Sequence, residues 1–571
     1  MSDSERTRRM HGGEVIVEML RRFDVDTMFG LPGEQTHIHD AIFRRNDIRH
    51  FLVRHEQAAS KMADSHARAT NKVGVCDATV GPGATNLIAG ISESFMSGIP
   101  VVALVSDVRA DWRGRDSFQE IDQISVFKPI TKKAFSVDHV ERIPEFIKRA
   151  FQIATTGRPG PVLLSFPMTT LRAEHAFSED DMRVDTRYAR YPANRLTPPE
   201  DDIDTAIELM LAADRPMIFA GGGVMASGAM AEVQALAELM DLPVGTTYMG
   251  KGTIPENHPL ALGPYGLLGR PASNEYVLQA DFGLALGTRF NNVGTAAWRI
   301  PDKSTKLVQI DIEPTQLGRN YDVEMALTGD LKSVLWVMLD KLDGDPRVQP
   351  KTIQRDAVSA LTAKWRKEKG IESDLALDMS SKPVHPIQVI RAMRDAMADD
   401  DVLVCDSGFN QIWGGQYFEV RSSGRCYLGP RGFGVMGYGT PAAISRALTT
   451  PDQDVVCLTG DGGFAMVIQE LETASRSGAN LTIVVMNNSN MQFIRDNQKL
   501  FFEGRYISTE FSELDYAEIA RAFGCHGIRV DVSGDLDAAF AQAKAQPKTT
   551  VIDVRIDDDA VPERVSLQSL K

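Results

Sequence analysis

The chain has 571 residues, 43% of them apolar, and carries 62 Lys and Arg against 77 Asp and Glu, a net charge of −15. That length suffices for three domains of ordinary size, and the acidic balance argues against a nucleic-acid surface while leaving room for a local basic pocket that takes an anionic substrate. The five cysteines, Cys76, Cys405, Cys426, Cys457 and Cys525, show no paired spacing and mostly lie in apolar runs, so they are expected to be buried thiols in a reducing compartment.

The N-terminal MSDSERTRRMHGGEV has charge but no apolar core of a secretory signal. No uninterrupted apolar run approaches the ~18 residues of a membrane span. A soluble cytoplasmic protein with no membrane and no nucleic-acid partner is the expectation. Val15, Ile16, Met19 and Leu20 open a helix, and Met28-Phe29 lead into the turn Gly30-Leu31-Pro32-Gly33. Strands are expected at 51–53, 73–80, 100–105 and 162–166, with a helix of small residues from Ala58 to Ala69. Residues 176–200, rich in Arg, Asp and Pro, have the composition of a linker. A second α/β stretch follows, in which the strand 216–220 runs into Gly221-Gly222-Gly223 and further strands fall at 281–286 and 307–312. A charged segment from Lys351 to Asp378 is expected to be a second linker, partly helical. The last stretch opens with a strand at 401–405 ending in Asp406-Ser407-Gly408. Apolar strands alternating with helices predict α/β architecture with three doubly wound parallel-sheet domains, at 1–178, 200–345 and 380–560.

The most informative stretch is DVVCLTGDGGFAMVIQELETASRSGANLTIVVMNNSN, Asp454 to Asn490. The run Val455 to Leu458 ends in Gly460-Asp461-Gly462-Gly463. Phe464, Val467, Ile468, Leu471 and Ala474 then recur at helical spacing, and the run Leu481 to Met486 ends in Asn487-Asn488. In a βαβ unit both carboxyl ends lie on one sheet edge, so Asp461 and Asn488 can meet. A carboxylate and an amide oxygen are hard ligands for a magnesium-sized cation. The glycines let backbone N–H groups approach phosphate oxygens. The stretch therefore predicts a site for a metal–diphosphate.

GDGGF and MNNSN resemble the signature of the thiamin diphosphate (ThDP) enzymes, and further runs carry the resemblance along nearly the whole chain. RHEQAASKMADSHARAT, TVGPGATNLIAGI, DSFQEIDQISVFKPITKKAF, TTYMGKGTIPENHPLALGPYGLLG and GFGVMGYGTPAAISRA are similar to segments of the acetolactate synthase-like branch, in the same order. The resemblance implies a pyrimidine-binding, a central and a diphosphate-binding domain. It implies that Asp461, Asn488 and the carbonyl of Asn490 hold magnesium on the cofactor's diphosphate. Ser407, Gly408, Phe409 and Asn410 would lie at one end of the diphosphate, with Gly462 and Gly463 opposite. Glu56 matches the glutamate that shares a proton with the pyrimidine, a role that needs a dry site. Met436 matches the apolar residue that bends the cofactor, and the carbonyl of Gly434 matches the acceptor of its amino group. Gln119 and Lys132 match residues near the substrate. Gly222, Gly223, Thr246, Arg289, Asp311 and Asp330 match positions that touch FAD in acetolactate synthases, where the flavin takes no redox part. Relatives of the same fold hold ADP or nothing there, and both alternatives stay open.

The implied activity is decarboxylation of a 2-oxo acid such as pyruvate and ligation of the two-carbon unit to a carbonyl acceptor. The implied assembly is a homodimer or homotetramer with active sites at the dimer interface, and a regulatory subunit is a further partner compatible with it. The chain departs from the branch at three places, of which the two on the substrate side, through Glu34, His37 and Asn497, favour a same-fold lyase, decarboxylase or hydrolase as the alternative. Asn497 in FIRDNQKLFFEGRYIS stands where acetolactate synthases have the tryptophan of MVRQWQELFYEGRYS. Glu34, followed by Gln35, Thr36 and His37, stands where they mostly have small residues, and Phe409-Asn410 stands for Gln-His. A flavin-dependent 2-oxo acid oxidase and a non-catalytic protein are the remaining rivals. Intact Glu56, Asp461 and Asn488 argue against the last.

Overall fold

A computed structural model describes residues 7–350, 352–368 and 382–564, which gather into two compact units. The first comprises the described residues up to Asn194 together with Pro430–Asp452 and Met466–Asn480. Its sheet has the lateral order Arg49–Leu52, Thr27–Gly30, Gly74–Ala78, Val101–Asp107, Val162–Pro167, Lys133–Ser136, with every neighbouring pair parallel. Val101–Asp107 and Val162–Pro167 are buried along their whole length, as central strands covered on both faces must be. Arg8–His11 pairs antiparallel with Glu174–Phe177, so part of the expected first linker is a strand that closes this unit.

The helix Glu56–Thr70 crosses the first unit with small residues on its packed face, and the helix Gly439–Thr449 lies against it. Close approach lets hydroxyls reach the opposing backbone. Ser65 Oγ donates to the Ala442 carbonyl at 2.8 Å and Ser445 Oγ to the Met62 carbonyl at 2.9 Å. Buried charge is placed along the same seam. Asp64 accepts from Tyr438 Oη at 2.7 Å and from Arg68 Nε at 2.6 Å, and Arg68 in turn faces Glu93 at 3.6 Å. The Glu93 carboxylate, fully buried, accepts from the amides of Gly432, Phe433 and Gly434 at 2.9, 2.9 and 3.0 Å. Gly434 takes φ +80°, a left-handed conformation that glycine adopts without a Cβ penalty.

The second unit holds Arg195–Gly429, Gln453–Ala465 and the described residues from Leu481 on. Its central sheet runs Ala261–Pro264, Val244–Thr246, Pro216–Ala220, Phe282–Leu286, Lys306–Asp311, Met325–Thr328, all parallel. Numbered along the chain, this is the order 3-2-1-4-5-6 of dinucleotide-binding sheets. The other sheet runs Tyr427–Leu428, Val402–Cys405, Val455–Gly460, Thr482–Asn487, Thr550–Arg555, His526–Val530, also all parallel. Its order, 2-1-3-4-6-5, is that of the first unit's sheet, so the first and last stretches of the chain share one architecture.

Two expectations change. The amphipathic run after Gly463 is not one helix but two, Asp461–Ala465 and Glu470–Ser477. Between them the amides of Glu470 and Leu471 bond three residues back, to Val467 and Ile468, so the stretch coils as turns and its helical spacing of apolar residues does not extend to a continuous helix. The expected second linker falls partly outside the described residues. Its described part is the helix Thr352–Glu368, which buries Val358 and Trp365. All five cysteines are buried, as expected. Among the described residues no helix is long and apolar enough to cross a membrane.

The Glu93 contacts generate the first prediction. Glu93→Ala leaves three part-buried N–H groups and the buried Arg68 short of an acceptor, and is expected to cost about 2–4 kcal/mol of stability in urea unfolding. An unchanged midpoint would show that water or another group satisfies the turn at 432–434.

Candidate functional site

In the second unit the turns that follow three adjacent parallel strands come together. The strands Val402–Cys405, Val455–Gly460 and Thr482–Asn487 end side by side, with Gly460 in register with Met486. Asp461 opens the helix after the second strand and is buried, 3% exposed. Its Oδ2 accepts from the Ser489 amide at 2.6 Å, and its Oδ1 from the Gly462 amide at 2.7 Å. Ser489 takes φ +58°, which turns the Asn487–Asn490 loop towards that carboxylate. Burial pushes the Asp461 carboxyl up to about 6 against these hydrogen bonds. Asn488 Nδ2 donates to Gln492 Oε1 at 3.0 Å, and Asn490 Nδ2 donates to the Asn488 carbonyl at 3.0 Å. Asn490 Oδ1 is buried without a hydrogen-bond partner.

The loop Asp406–Asn410 closes the other side. Asn410 Nδ2 donates to the carbonyls of Asp406 and Leu458 at 2.7 and 3.2 Å, and Asp406 Oδ1 accepts from the Ser407 amide at 2.6 Å. Gly408 has φ +123°. A Cβ on Gly463 would sit 3.0 Å from Asp406 Oδ2, so glycine there lets the two turns approach. Asp461, Gly462, Gly463, Asn488 and Asn490 are thus gathered with Ser407, Gly408, Phe409 and Asn410 at one sheet edge. The buried Asp461 carboxylate beside a loop with Asn488 and Asn490, whose Oδ1 is buried with no partner, offers hard oxygen donors of the kind that fit a magnesium-sized cation.

In the first unit, Glu56 is the first residue of its helix and is 5% exposed. Its Oε2 accepts from Asn86 Nδ2 at 2.9 Å. Gly83 leaves room beside the other oxygen, since a Cβ there would lie 3.2 Å from Oε1. The loop before Glu56 is braced by Glu470, whose two oxygens accept from the Arg54 amide at 3.2 Å. Further along the helix, Lys61 Nζ donates to the carbonyls of Met436 and Gly437 at 3.2 and 3.0 Å, which fixes the turn carrying Gly434 and Met436. Gln119, at φ +66°, reaches the turn before Gly83. Its carbonyl lies against Gly81, where a Cβ would come within 2.3 Å of it. Glu34 is exposed in the single chain, and its amide donates to Thr79 Oγ1 at 3.1 Å.

Lys132 is placed differently from the expectation of a substrate contact. Its Nζ donates to the carbonyls of Ile153, Thr156 and Arg158 at 2.5, 2.7 and 2.8 Å, where it caps the helix Ile143–Thr155 and meets its negative end. Asp330 likewise caps a helix, Leu331–Leu342. It accepts from Arg195 Nη1 at 2.5 Å and Ser227 Oγ at 2.9 Å, so its carboxylate is already engaged. The Gly223 amide donates to Gly287 at 3.1 Å, and a Cβ on Gly223 would lie 2.6 Å from Gly287, so this glycine serves packing of the turn. Gly222 adjoins it, with Met249 3.0 Å from where a Cβ would stand. Thr246 is buried at the end of its strand with Oγ1 unpartnered, Asp311 is buried and accepts from the Glu313 amide at 2.9 Å, and Arg289 is half-buried.

Sequence reasoning missed a cluster beneath Glu34. Asp77, fully buried, accepts from Gln35 Nε2 at 2.9 Å and lies 3.0 and 2.7 Å from the Nε2 atoms of His39 and His50. Burial alone would raise the Asp77 carboxyl, but the imidazoles His50 and His39 hold it well below the usual carboxylate range. Its signal in the sequence is one acid inside the apolar strand GVCDA.

Three family models match the chain in order: the N-terminal TPP binding domain of thiamine pyrophosphate enzymes over residues 10–126, the central domain over 203–338, and the C-terminal TPP binding domain over 406–554. The chain is 35% identical to a "Probable acetolactate synthase large subunit" of Methanococcus aeolicus, over 96% of this chain and 92% of that protein. It is 34% identical to a protein of the same description from Methanocaldococcus jannaschii, over 97% and 93%. With an "Acetolactate synthase large subunit" of Corynebacterium glutamicum it shares 33% identity over 97% and 88%.

Proposed function

The chain belongs to the thiamine pyrophosphate enzyme family as an acetolactate synthase-like enzyme, and on that premise we propose that it decarboxylates a 2-oxo acid such as pyruvate and ligates the two-carbon fragment to a carbonyl acceptor, with ThDP and Mg2+. The observation that carries this reading is the buried Asp461 carboxylate, pushed up to about 6 and docked on the Ser489 amide beside Asn488 and Asn490. A divalent cation there would stabilise the charged carboxylate against its burial and complete its own shell with diphosphate oxygens. ThDP, when bound, supplies a carbon nucleophile that takes up the 2-oxo acid and accommodates the electron pair left by loss of CO2.

The chain's own residues divide the remaining work. Asp461, Asn488 and the Asn490 carbonyl would hold the cation, with Gly462, Gly463 and the Ser407–Asn410 loop as the residues at the diphosphate, where the amides of Gly462 and Ser407 are themselves engaged by Asp461 and Asp406. Glu56 holds a proton at the cofactor's pyrimidine, with Asn86 fixing one oxygen and Gly83 leaving the other accessible. Met436 orients the cofactor and Gly434 accepts from it, both on the turn that Lys61 and Glu93 fix from behind. Gln119 lines the substrate side. FAD in the central sheet is part of the proposal, without a redox role. The buried, unpartnered Thr246 hydroxyl supports it, with Gly222, Arg289 and Asp311 as further contacts, whereas Asp330 is engaged as a helix cap. We further propose a cytoplasmic homodimer or homotetramer, and the description of relatives as large subunits supports a regulatory subunit as partner.

A second reading, release of a cleaved product in place of ligation, is favoured by two observations. Glu34 presents a carboxylate on the loop that follows the first strand's carboxyl end. Asn497 is engaged with Arg564, whose Nη1 donates to Asn497 Oδ1 at 2.9 Å, where ligating relatives have a tryptophan. A carboxylic acid near the reacting carbons favours protonation and release.

Asp461→Ala is expected to abolish ThDP retention in magnesium buffer by calorimetry, while Glu56→Gln retains ThDP and slows C2-proton exchange by orders of magnitude in NMR. Unchanged affinity in the first variant removes the metal–diphosphate reading. The flavin part predicts that purified protein incubated with FAD gains the flavin absorbance and a thermal shift, and a preparation that does neither excludes it. Glu34→Gly is expected to shift the product ratio from several 2-oxo acids towards carboligation with ThDP affinity unchanged. An identical ratio and rate place Glu34 outside the chemistry.

A further inference from the structure

Asn488 is held on one side by a residue that the roles above leave unused. Its Nδ2 donates to Gln492 Oε1 at 3.0 Å, from the first turn of the helix Gln492–Phe501. An asparagine side chain is nearly symmetric in shape, so its amide presents oxygen or NH2 to a neighbour with little steric preference. The bond to Gln492 breaks that symmetry, because the NH2 is committed to Gln492 and Oδ1 points the other way. Gln492 is itself committed. Its Nε2 donates to the Asp558 carbonyl at 2.5 Å. That carbonyl belongs to the segment after the strand Thr550–Arg555, which lies along the same helix. Arg495 Nη1 meets Asp558 Oδ2 at 2.6 Å and Lys499 faces Asp559 at 3.7 Å. Asp558 and Asp559 are thus paired with cations of the helix.

We propose that Gln492 is a positioning residue for the cation site, and that the segment 557–559 sets it. Gln492 fixes the Asn488 amide with its oxygen towards the cation, and the Asp558 carbonyl fixes the Gln492 amide in the one orientation that accepts from Asn488. This inference rests on the proposed role of Asn488 as a metal ligand. It adds that the ligand is not self-sufficient: without Gln492 the Asn488 amide populates both orientations, and the NH2-inward one repels a cation. Groups of this kind behind a metal ligand are worth about 10- to 100-fold in metal affinity.

The test measures Mg2+ affinity by calorimetry on the full chain at saturating ThDP. Gln492→Leu is expected to weaken it about 10-fold or more, with the unfolding midpoint in metal-free, ThDP-free buffer unchanged. Asp558→Ala, which loosens the segment from Arg495, is expected to give an intermediate loss. Asn488→Ala separates this inference from the one it rests on. If Asn488→Ala binds Mg2+ as wild type does, the metal reading of Asn488 fails. If Asn488→Ala is defective while Gln492→Leu is normal, the positioning role is overturned and the metal reading stands.

Discussion

One bond ties the last sheet's chemistry together, that from the Ser489 amide to the Asp461 carboxylate. It joins the turns after two adjacent parallel strands, and so converts a general property of parallel sheets into a particular set of ligands. The cost is a carboxylate buried with two backbone donors and no cationic partner among its hydrogen bonds, which is why its proton affinity rises. The neighbouring features follow from holding this turn in place. Gly463 is bare so that Asp406 can approach, Ser489 takes a left-handed conformation, and Asn410 ties its own loop to the strand between.

The first unit uses the same device for a different purpose. Glu93 and Glu470 each bury a carboxylate against backbone amides, those of 432–434 and of Arg54. Ionised acceptors make the stronger class of hydrogen bond to N–H groups, so a single side chain can hold a whole turn. One of these turns bears Gly434 and Met436 and the other leads into Glu56. The residues with proposed roles at the cofactor therefore sit on loops whose conformation is set by acids that have no proposed role at the cofactor themselves. Asp77 does this for the loop of Glu34, with Gln35, His39 and His50 as donors in place of amides.

The strands and their order of appearance were legible because buried parallel strands leave uninterrupted apolar runs, as in Val101–Asp107 and Val455–Gly460. The meeting of Asp461 with the Asn488 loop was legible too, since two turns at the carboxyl ends of successive parallel strands share an edge. What was not legible depended on which of many polar side chains finds a partner far along the chain. Lys132 gives no local sign that three carbonyls near 153–158 await it, and Glu93 none that the chain returns at 432–434. The break between Asp461–Ala465 and Glu470–Ser477 was hidden for a related reason. Apolar spacing continues across it, and the division between the two compact units at Ala465 and Met466 is a tertiary fact with no local marker.

The composition of the three turns bears on why a cation belongs there. Residues 406–410, 460–464 and 487–491 read DSGFN, GDGGF and NNSNM, with no Lys or Arg among them. The nearest guanidinium recorded against them is Arg555, whose Nη1 donates to Ser489 Oγ at 3.3 Å. On a chain with a net charge of −15, a diphosphate would enter this edge against an unfavourable background and would find backbone dipoles as its main fixed positive partners. Amides and a short helix end contribute partial charges only, far short of a diphosphate's charge. Basic side chains would supply the difference, but they would also neutralise Asp461 by ion pairing and remove the hard-oxygen set. A divalent cation satisfies the acid and the diphosphate together, so the absence of basic residues from these turns and the presence of a buried, unpaired carboxylate are two sides of one electrostatic arrangement.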